Sequence, residues 1–342
     1  MDVTPFGSIL DVDGVGVGHH QRTGRGWQSG TTVVTVAAGA TPGVNVRGGG
    51  PGTRETDALR PENLVRTIHA ITLTGGSAYG LASADGVVAV LEERGLGFPI
   101  RDHVVPVVPA AVIFDLGRGG SFANRPDRDF GARAARAALS ARSTPRWGAV
   151  GAGTGARAGG LQGGVGTAST IVDTAVGPIT VGAVAVVNAN GSVIDPRIGL
   201  PWEIGPATTR EVSAAELDAV RTALGAERGA ELNTTIGVVA TSAALDKAEC
   251  SKVAAVAHDG LARAVRPAHA MTDGDTVFTV ATGETAVPAG HRERVVALNL
   301  LLVAAADTFA LACTHAVVAA TTVGDAPAHA DLVPDALRIR TA

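Results

Sequence analysis

Short β-branched runs alternate with Ala-rich stretches along almost the whole chain, and this alternation calls for sheets covered by helices. "TTVVTVA" from Thr31, "AITLTG" from Ala70, "ITVGAVAVVNANG" from Ile179, "IGVVAT" from Ile236 and "DTVFTVATG" from Asp275 read as strands. Between them, "SAYGLASADGVVAVLEERG" from Ser77 predicts one helix, with Leu81, Val87, Val88 and Leu91 close to one face and Gly95 as its stop. "ARAARAALSA" from Ala132 predicts a second. "LDKAECSKVAAVAHDGLARAVRP" predicts a third, started by an Asp246–Glu249 capping box and stopped by Pro267. The most apolar segment, Val295 to Val323, carries Asn299, Asp307 and His315 in its interior. It reads as a buried helix rather than a membrane span, which needs an uninterrupted apolar run of roughly 18 residues or more. No internal repeat and no long linker divides the chain, so residues 1–342 are expected to form a single α/β domain.

Composition narrows the function classes. Apolar residues make up 46% of the 342 residues, but aromatics only 3%, and 45 residues are Gly. The core must therefore close over Ala, Val and Gly, with many tight turns. A net charge of -4, with no basic run and few rings to stack bases, excludes nucleic acid as an expected partner. Cys250 and Cys313 are the only cysteines and ask for no oxidising compartment. "MDVTPFGSILDVDGV" lacks a basic n-region and a long apolar stretch, so it does not read as a signal peptide. A cytoplasmic chain with no membrane partner is the expectation.

Three constellations could carry chemistry. "GAGTGARAGGLQGGVGTAS", Gly151 to Ser169, begins as G-x-G-x-x-A with Asp173 about 20 residues on. A dinucleotide fingerprint needs a helix there, and six further glycines, each costing about 1 kcal/mol in a helix interior, forbid it. The stretch is expected to be a loop whose backbone closely approaches a ligand or another strand. His19–His20 and the seven other histidines show no metal-ligand spacing, so no metal and no cofactor are expected. "MTDGDTVF" places Asp273 and Asp275 around a Gly at a strand entrance. That pattern is either a plain Asp-Gly turn or a carboxylate pair that orients a nucleophile or its amine.

"VRGGGPGTRETD", "LTGGSAYGLASADGV", "GAGTGARAGGLQGGVGTAS", "NTTIGVVAT" and "AHDGLARAVRPAHAMTDGDTVF" together resemble the L-aminopeptidase/D-esterase (DmpA-type) family. Within it they resemble the branch that holds the 6-aminohexanoate-oligomer hydrolase. The likeness runs in the same order from about Asp11 to Thr322. It implies a four-layer αββα sandwich of the N-terminal-nucleophile type. It also implies self-cleavage between Asn233 and Thr234, giving a large chain of residues 1–233 and a small chain of 234–342, with the lead-in after Gly229 supplying strain or exposure. Thr234 then matches the nucleophile, Asp275 a contact of its hydroxyl or amine, Asp273 the support of Asp275, and Asn188 an oxyanion-hole donor. Phe114, Tyr79 and Arg157 are placed at the substrate pocket. The resemblance also places Gln162 among the catalytic residues beside the nucleophile; relatives commonly carry Lys there, and the nylon-oligomer enzyme has Tyr at Phe114. Gln keeps a neutral donor and Phe none, with Arg157 a candidate for the missing charge. The implied activity is hydrolysis of small peptides or linear amides by a tetramer or larger assembly. The alternatives are an unprocessed relative that binds a small molecule in the same pocket, and an acyltransferase like the ornithine acetyltransferases.

Overall fold

The computed structural model describes residues 7–140, 145–203, 209–225 and 232–337. Its main strands are β1 (Val15–Gly24), β2 (Trp27–Val46), β3 (Thr53–Arg54), β4 (Ile68–Thr74), β5 (Ala110–Val112), β6 (Gly164–Thr174), β7 (Gly177–Asn188), β8 (Thr234–Ala243) and β9 (Thr276–Thr285). The main helices are α1 (Ser83–Glu93), α2 (Arg128–Ala138), α3 (Ala214–Gly225), α4 (Lys247–Ala264) and α5 (His291–Val318).

The twenty-residue β2 organises the architecture because it serves two sheets. Its first half pairs with β1 and β4; beyond Gly39, whose φ of 84° only glycine adopts readily, Thr41–Val46 pair with β9. One sheet thus runs β1–β2–β4–β5–β3 and the other β6–β7–β8–β9–β2. Their facing sides share one core, with Val34, Ile71 and Ile113 on one side and Val186, Ile236, Val238 and Phe278 on the other. Outside the first sheet, Val33 and Ala70 pack with Val87, Leu91 and Ala134 of α1 and α2. Outside the second, Val187, Val239 and Val277 pack with Leu261, Phe309 and Cys313 of α4 and α5. The order is helix, sheet, sheet, helix: the four-layer αββα sandwich the resemblance implied. Covered on both faces, β8 is buried at all ten positions, and its sequence carries no charge and no polar/apolar alternation.

The Asp246–Glu249 capping box forms as predicted, and α4 ends at Ala264, ahead of Pro267. Two expectations need correction. The helix expected over Ser77–Gly95 is a single turn at Ser77–Gly80 followed by α1; between them the Leu81 and Ala82 N–H groups donate three residues back, to the Ala78 and Tyr79 carbonyls, instead of four. The glycine-rich stretch is only partly a loop: Gly164–Ser169 belong to β6. Gly is depleted in strands, but here the missing Cβ lets a helix approach. A Cβ on Gly166 would lie 2.1 Å from the Ala312 carbonyl oxygen of α5. α5 is long and apolar enough to cross a membrane by length and composition alone, yet Ala305, Phe309, Ala312 and Ala316 lie fully buried against the second sheet.

Candidate functional site

Topology brings three strand ends to one edge of the second sheet. β7 runs antiparallel to β8, so Asn188 at its end pairs with Thr234 at the start of β8. β8 and β9 are parallel and joined by α4, so the loop entering β9 lies beside Thr234 as well. Asn233 forms an isolated parallel bridge with Asp273 of that loop: its N–H donates to the Thr272 carbonyl at 3.1 Å.

The nucleophile candidate, the bond before it and one main-chain donor meet here. The Thr234 hydroxyl lies against the carbonyl oxygen of Asn233. The N–H of Gly274 reaches both atoms, at 3.0 Å from Asn233 O and 3.2 Å from Thr234 Oγ1. Gly274 has no room for a side chain, since a Cβ would come within 2.8 Å of Thr234 Oγ1 and 3.0 Å of the Gly50 carbonyl. The Gly48–Gly50 run lies flat on this loop: Gly48 N–H donates to Asp275 O and Gly50 N–H to Asp273 O.

Both carboxylates sit in the loop, neither on the Thr234 hydroxyl. Asp275 Oδ1 accepts from Thr235 N–H at 2.7 Å, and Oδ2 accepts from the N–H and Nδ1 of His269 at 3.1 and 2.7 Å. The expected contact of Asp275 with the nucleophile is therefore one residue displaced, onto the following amide. Asp273 does not support Asp275. Its Oδ2 accepts from Ala270 N–H, and its buried Oδ1 has no hydrogen-bond partner. Burial raises the Asp273 pKa, with the Asp275 charge adding to the effect and the Ala270 N–H opposing it.

Asn188 is held from three directions. Its Oδ1 accepts from Arg157 N–H at 3.1 Å and from the Arg118 guanidinium, while Nδ2 donates to Phe114 O at 3.2 Å. Two donors on one side and an acceptor on the other fix which end is nitrogen. The cation beside Asn188 is Arg118, which sequence reasoning missed; Arg157 instead sends its side chain to Asp325. Phe114 contributes its carbonyl, so the loss of a phenol leaves this contact intact. Gln162 is fully buried, and its amide donates to the carbonyls of Ala156 and Gly163 at 2.8 and 3.1 Å. It braces its own hairpin and makes no hydrogen bond to Thr234. Tyr79 is 54% exposed, with the Arg125 guanidinium 3.7 Å over its ring. Neither residue is hydrogen-bonded to Thr234. Next to Phe114, buried Asp115 is pushed up to about 6 by desolvation, against the Gly76 N–H that donates to Oδ1 and the Arg118 charge. No group of three His, Cys, Asp or Glu suited to a metal occurs among the described residues. The lead-in after Gly229 falls partly outside them.

A main-chain donor poised on a peptide carbonyl, with a hydroxyl against the same carbonyl, suits acyl transfer. The sequence pattern of peptidase family S58 matches residues 7–330. The chain belongs to peptidase family S58. Within this S58 setting, a protein of Mycobacterium tuberculosis named an uncharacterized aminopeptidase is 47% identical, over 96% of this chain and 98% of that one. A 6-aminohexanoate-oligomer endohydrolase of Kocuria sp. is 31% identical, over 82% of this chain and 76% of that one. Among solved structures, a Burkholderia sp. β-aminopeptidase superposes with a TM-score of 0.70 at 25% identity, covering 96% and 93% of the two chains. The L-aminopeptidase D-Ala-esterase/amidase of Ochrobactrum anthropi, described as a variant of the Ntn-hydrolase fold, gives 0.70 at 21% identity, covering 100% and 93%. The protein is an aminopeptidase-like S58 hydrolase with that fold.

Proposed function

We propose that the chain cuts its own Asn233–Thr234 bond and that Thr234 then acts as the N-terminal nucleophile of an amide hydrolase. The observation that carries this reading is the Thr234 hydroxyl lying against the Asn233 carbonyl under the shared Gly274 N–H. In the first step Thr234 Oγ1 bonds to the Asn233 carbonyl carbon. The developing oxyanion is held by Gly274 N–H, a role worth roughly 3 kcal/mol elsewhere. The C–N bond breaks, the nitrogen leaves protonated as the Thr234 amine, and an Asn233 ester remains. Water hydrolyses the ester, returning the Thr234 hydroxyl and leaving a carboxylate on Asn233. Asp273 Oδ1, buried and uncommitted, is the acceptor for the hydroxyl proton and passes it to the leaving nitrogen. Its raised pKa makes it a stronger base than an ordinary carboxylate.

Cleavage creates what catalysis needs. A hydroxyl is a poor nucleophile without a base, and the new α-amine has a pKa near 8, so part of it is neutral at pH 7. Departure of Asn233 also frees Gly274 N–H for a substrate carbonyl. The names of the relatives, aminopeptidases and a linear amide-oligomer hydrolase, support small peptides or linear amides as substrates. Self-association fits an exposed apolar row on α5, with Val296, Leu300 and Val303 at helical spacing.

Amidase activity is expected to rise in step with chain splitting. Aliquots from a processing time course are tested on amino-acid p-nitroanilides and on linear 6-aminohexanoate oligomers. Release of product by a fully uncut preparation would contradict the reading.

A further inference from the structure

Among the described residues, His269 is the one histidine hydrogen-bonded to the acidic loop of the site, and the reaction above gives it no role. Its backbone is left-handed, with φ of 61°, a region that residues other than Gly, Asn, Asp and His rarely occupy. That conformation lets one residue present two donors to one oxygen. Its N–H and its Nδ1 both converge on Asp275 Oδ2, at 3.1 and 2.7 Å. The other oxygen of Asp275 holds Thr235 N–H at 2.7 Å. An unbroken line of hydrogen bonds therefore runs from the imidazole through the carboxylate to the peptide group between Thr234 and Thr235.

The ring is itself fixed from behind. His258 of α4 meets it edge-on, with centroids 5.0 Å apart, and anchors on the Asn45 carbonyl of β2 through Nε2 at 3.1 Å. A carbonyl only accepts, so His258 carries its proton on Nε2. Burial holds its pKa down to about 4, and it stays neutral beside His269. His269 Nε2 is buried and has no hydrogen-bond partner, so Nδ1, facing the carboxylate, is where its proton is satisfied.

We infer that His269 is a positioning residue. It locks the Asp275 carboxylate so that the Thr235 amide, and with it Thr234, is held in attacking geometry. The inference rests on the proposed role of Thr234. It makes His269 a residue whose side chain sets the rate of splitting without touching the bond that breaks.

The test compares His269→Gly and His269→Asn, since both replacements accept the left-handed backbone. Gly removes the imidazole and keeps the main-chain N–H; Asn places an amide N–H close to where Nδ1 stood. Splitting of freshly synthesised chain is followed in a cell-free translation reaction, with melting temperatures measured in parallel. His269→Gly is expected to split about 10- to 100-fold more slowly, the effect of losing a hydrogen bond to a charged group. His269→Asn should recover most of the wild-type rate. A wild-type rate in His269→Gly overturns the inference. So does a folded His269→Asn with unaltered melting temperature that splits slowly, and this second arm decides even if the Gly variant fails to fold. Thr234→Ala run alongside separates the two claims. If it still splits, the nucleophile assignment has failed; if it stays whole while His269→Gly splits normally, only the role of His269 has.

Discussion

Thr234→Ala is expected to remain a single chain of 342 residues. The substitution removes the hydroxyl that lies against the Asn233 carbonyl and leaves the rest of the local structure in place. The Asn188–Thr234 pairing is a main-chain contact and survives. Gly274 N–H still has Asn233 O to donate to. The variant should therefore fold, with a small loss of stability from one methyl and one hydroxyl, while splitting falls below detection. No amine is then generated at position 234, so amidase activity is lost with it. If the variant splits at the same bond, Thr234 is not the attacking residue. Thr235 becomes the residue to test, although its N–H is already tied to Asp275.

The second large effect is expected at Asp275. Its two oxygens accept from Thr235 N–H, His269 N–H and His269 Nδ1. An amide in the Asp275→Asn variant must turn its NH2 toward at least one main-chain donor, whichever way it is flipped. Facing donors in a buried site cost the desolvation of an unmade bond, about 1–3 kcal/mol, and the lost charge weakens the remaining bonds. Splitting and turnover should both slow by about 100-fold or more, a factor that corresponds to roughly 2.7 kcal/mol. Near-unchanged circular dichroism and melting temperature would show that the loss is local. Wild-type rates in a folded variant would reduce the Asp-Gly-Asp stretch to a turn.

Much of this site was legible in the sequence. The β8 run marked a buried strand because β-branched residues without alternation mean two covered faces. The capping box of α4 and the Asp-Gly-Asp entrance to β9 were equally plain. Asn188 came from the family resemblance rather than from any local pattern, and register sets it opposite Thr234. What stayed hidden has a common cause. Gly274 acts through a backbone N–H, which leaves no side-chain signature; its only trace is a glycine between two acids. Arg118 reaches Asn188 across 70 residues of sequence, a contact no local period reports. His269 lies six residues before Asp275, with a loop folded back between them. Gln162 went the other way: a motif comparison placed it at the reaction, and the fold turns its amide toward its own hairpin. The glycines of β6 misled because their role is to let α5 close on the sheet, a long-range demand that looks locally like a loop.

N-terminal sequencing of the purified wild-type protein, with intact-mass measurement, tests the central claim most directly. The account predicts two chains, one ending at Asn233 and one beginning Thr-Thr-Ile-Gly-Val at Thr234. A chain that stays whole after prolonged incubation in the folded state, or a new N-terminus at any other residue, would contradict it.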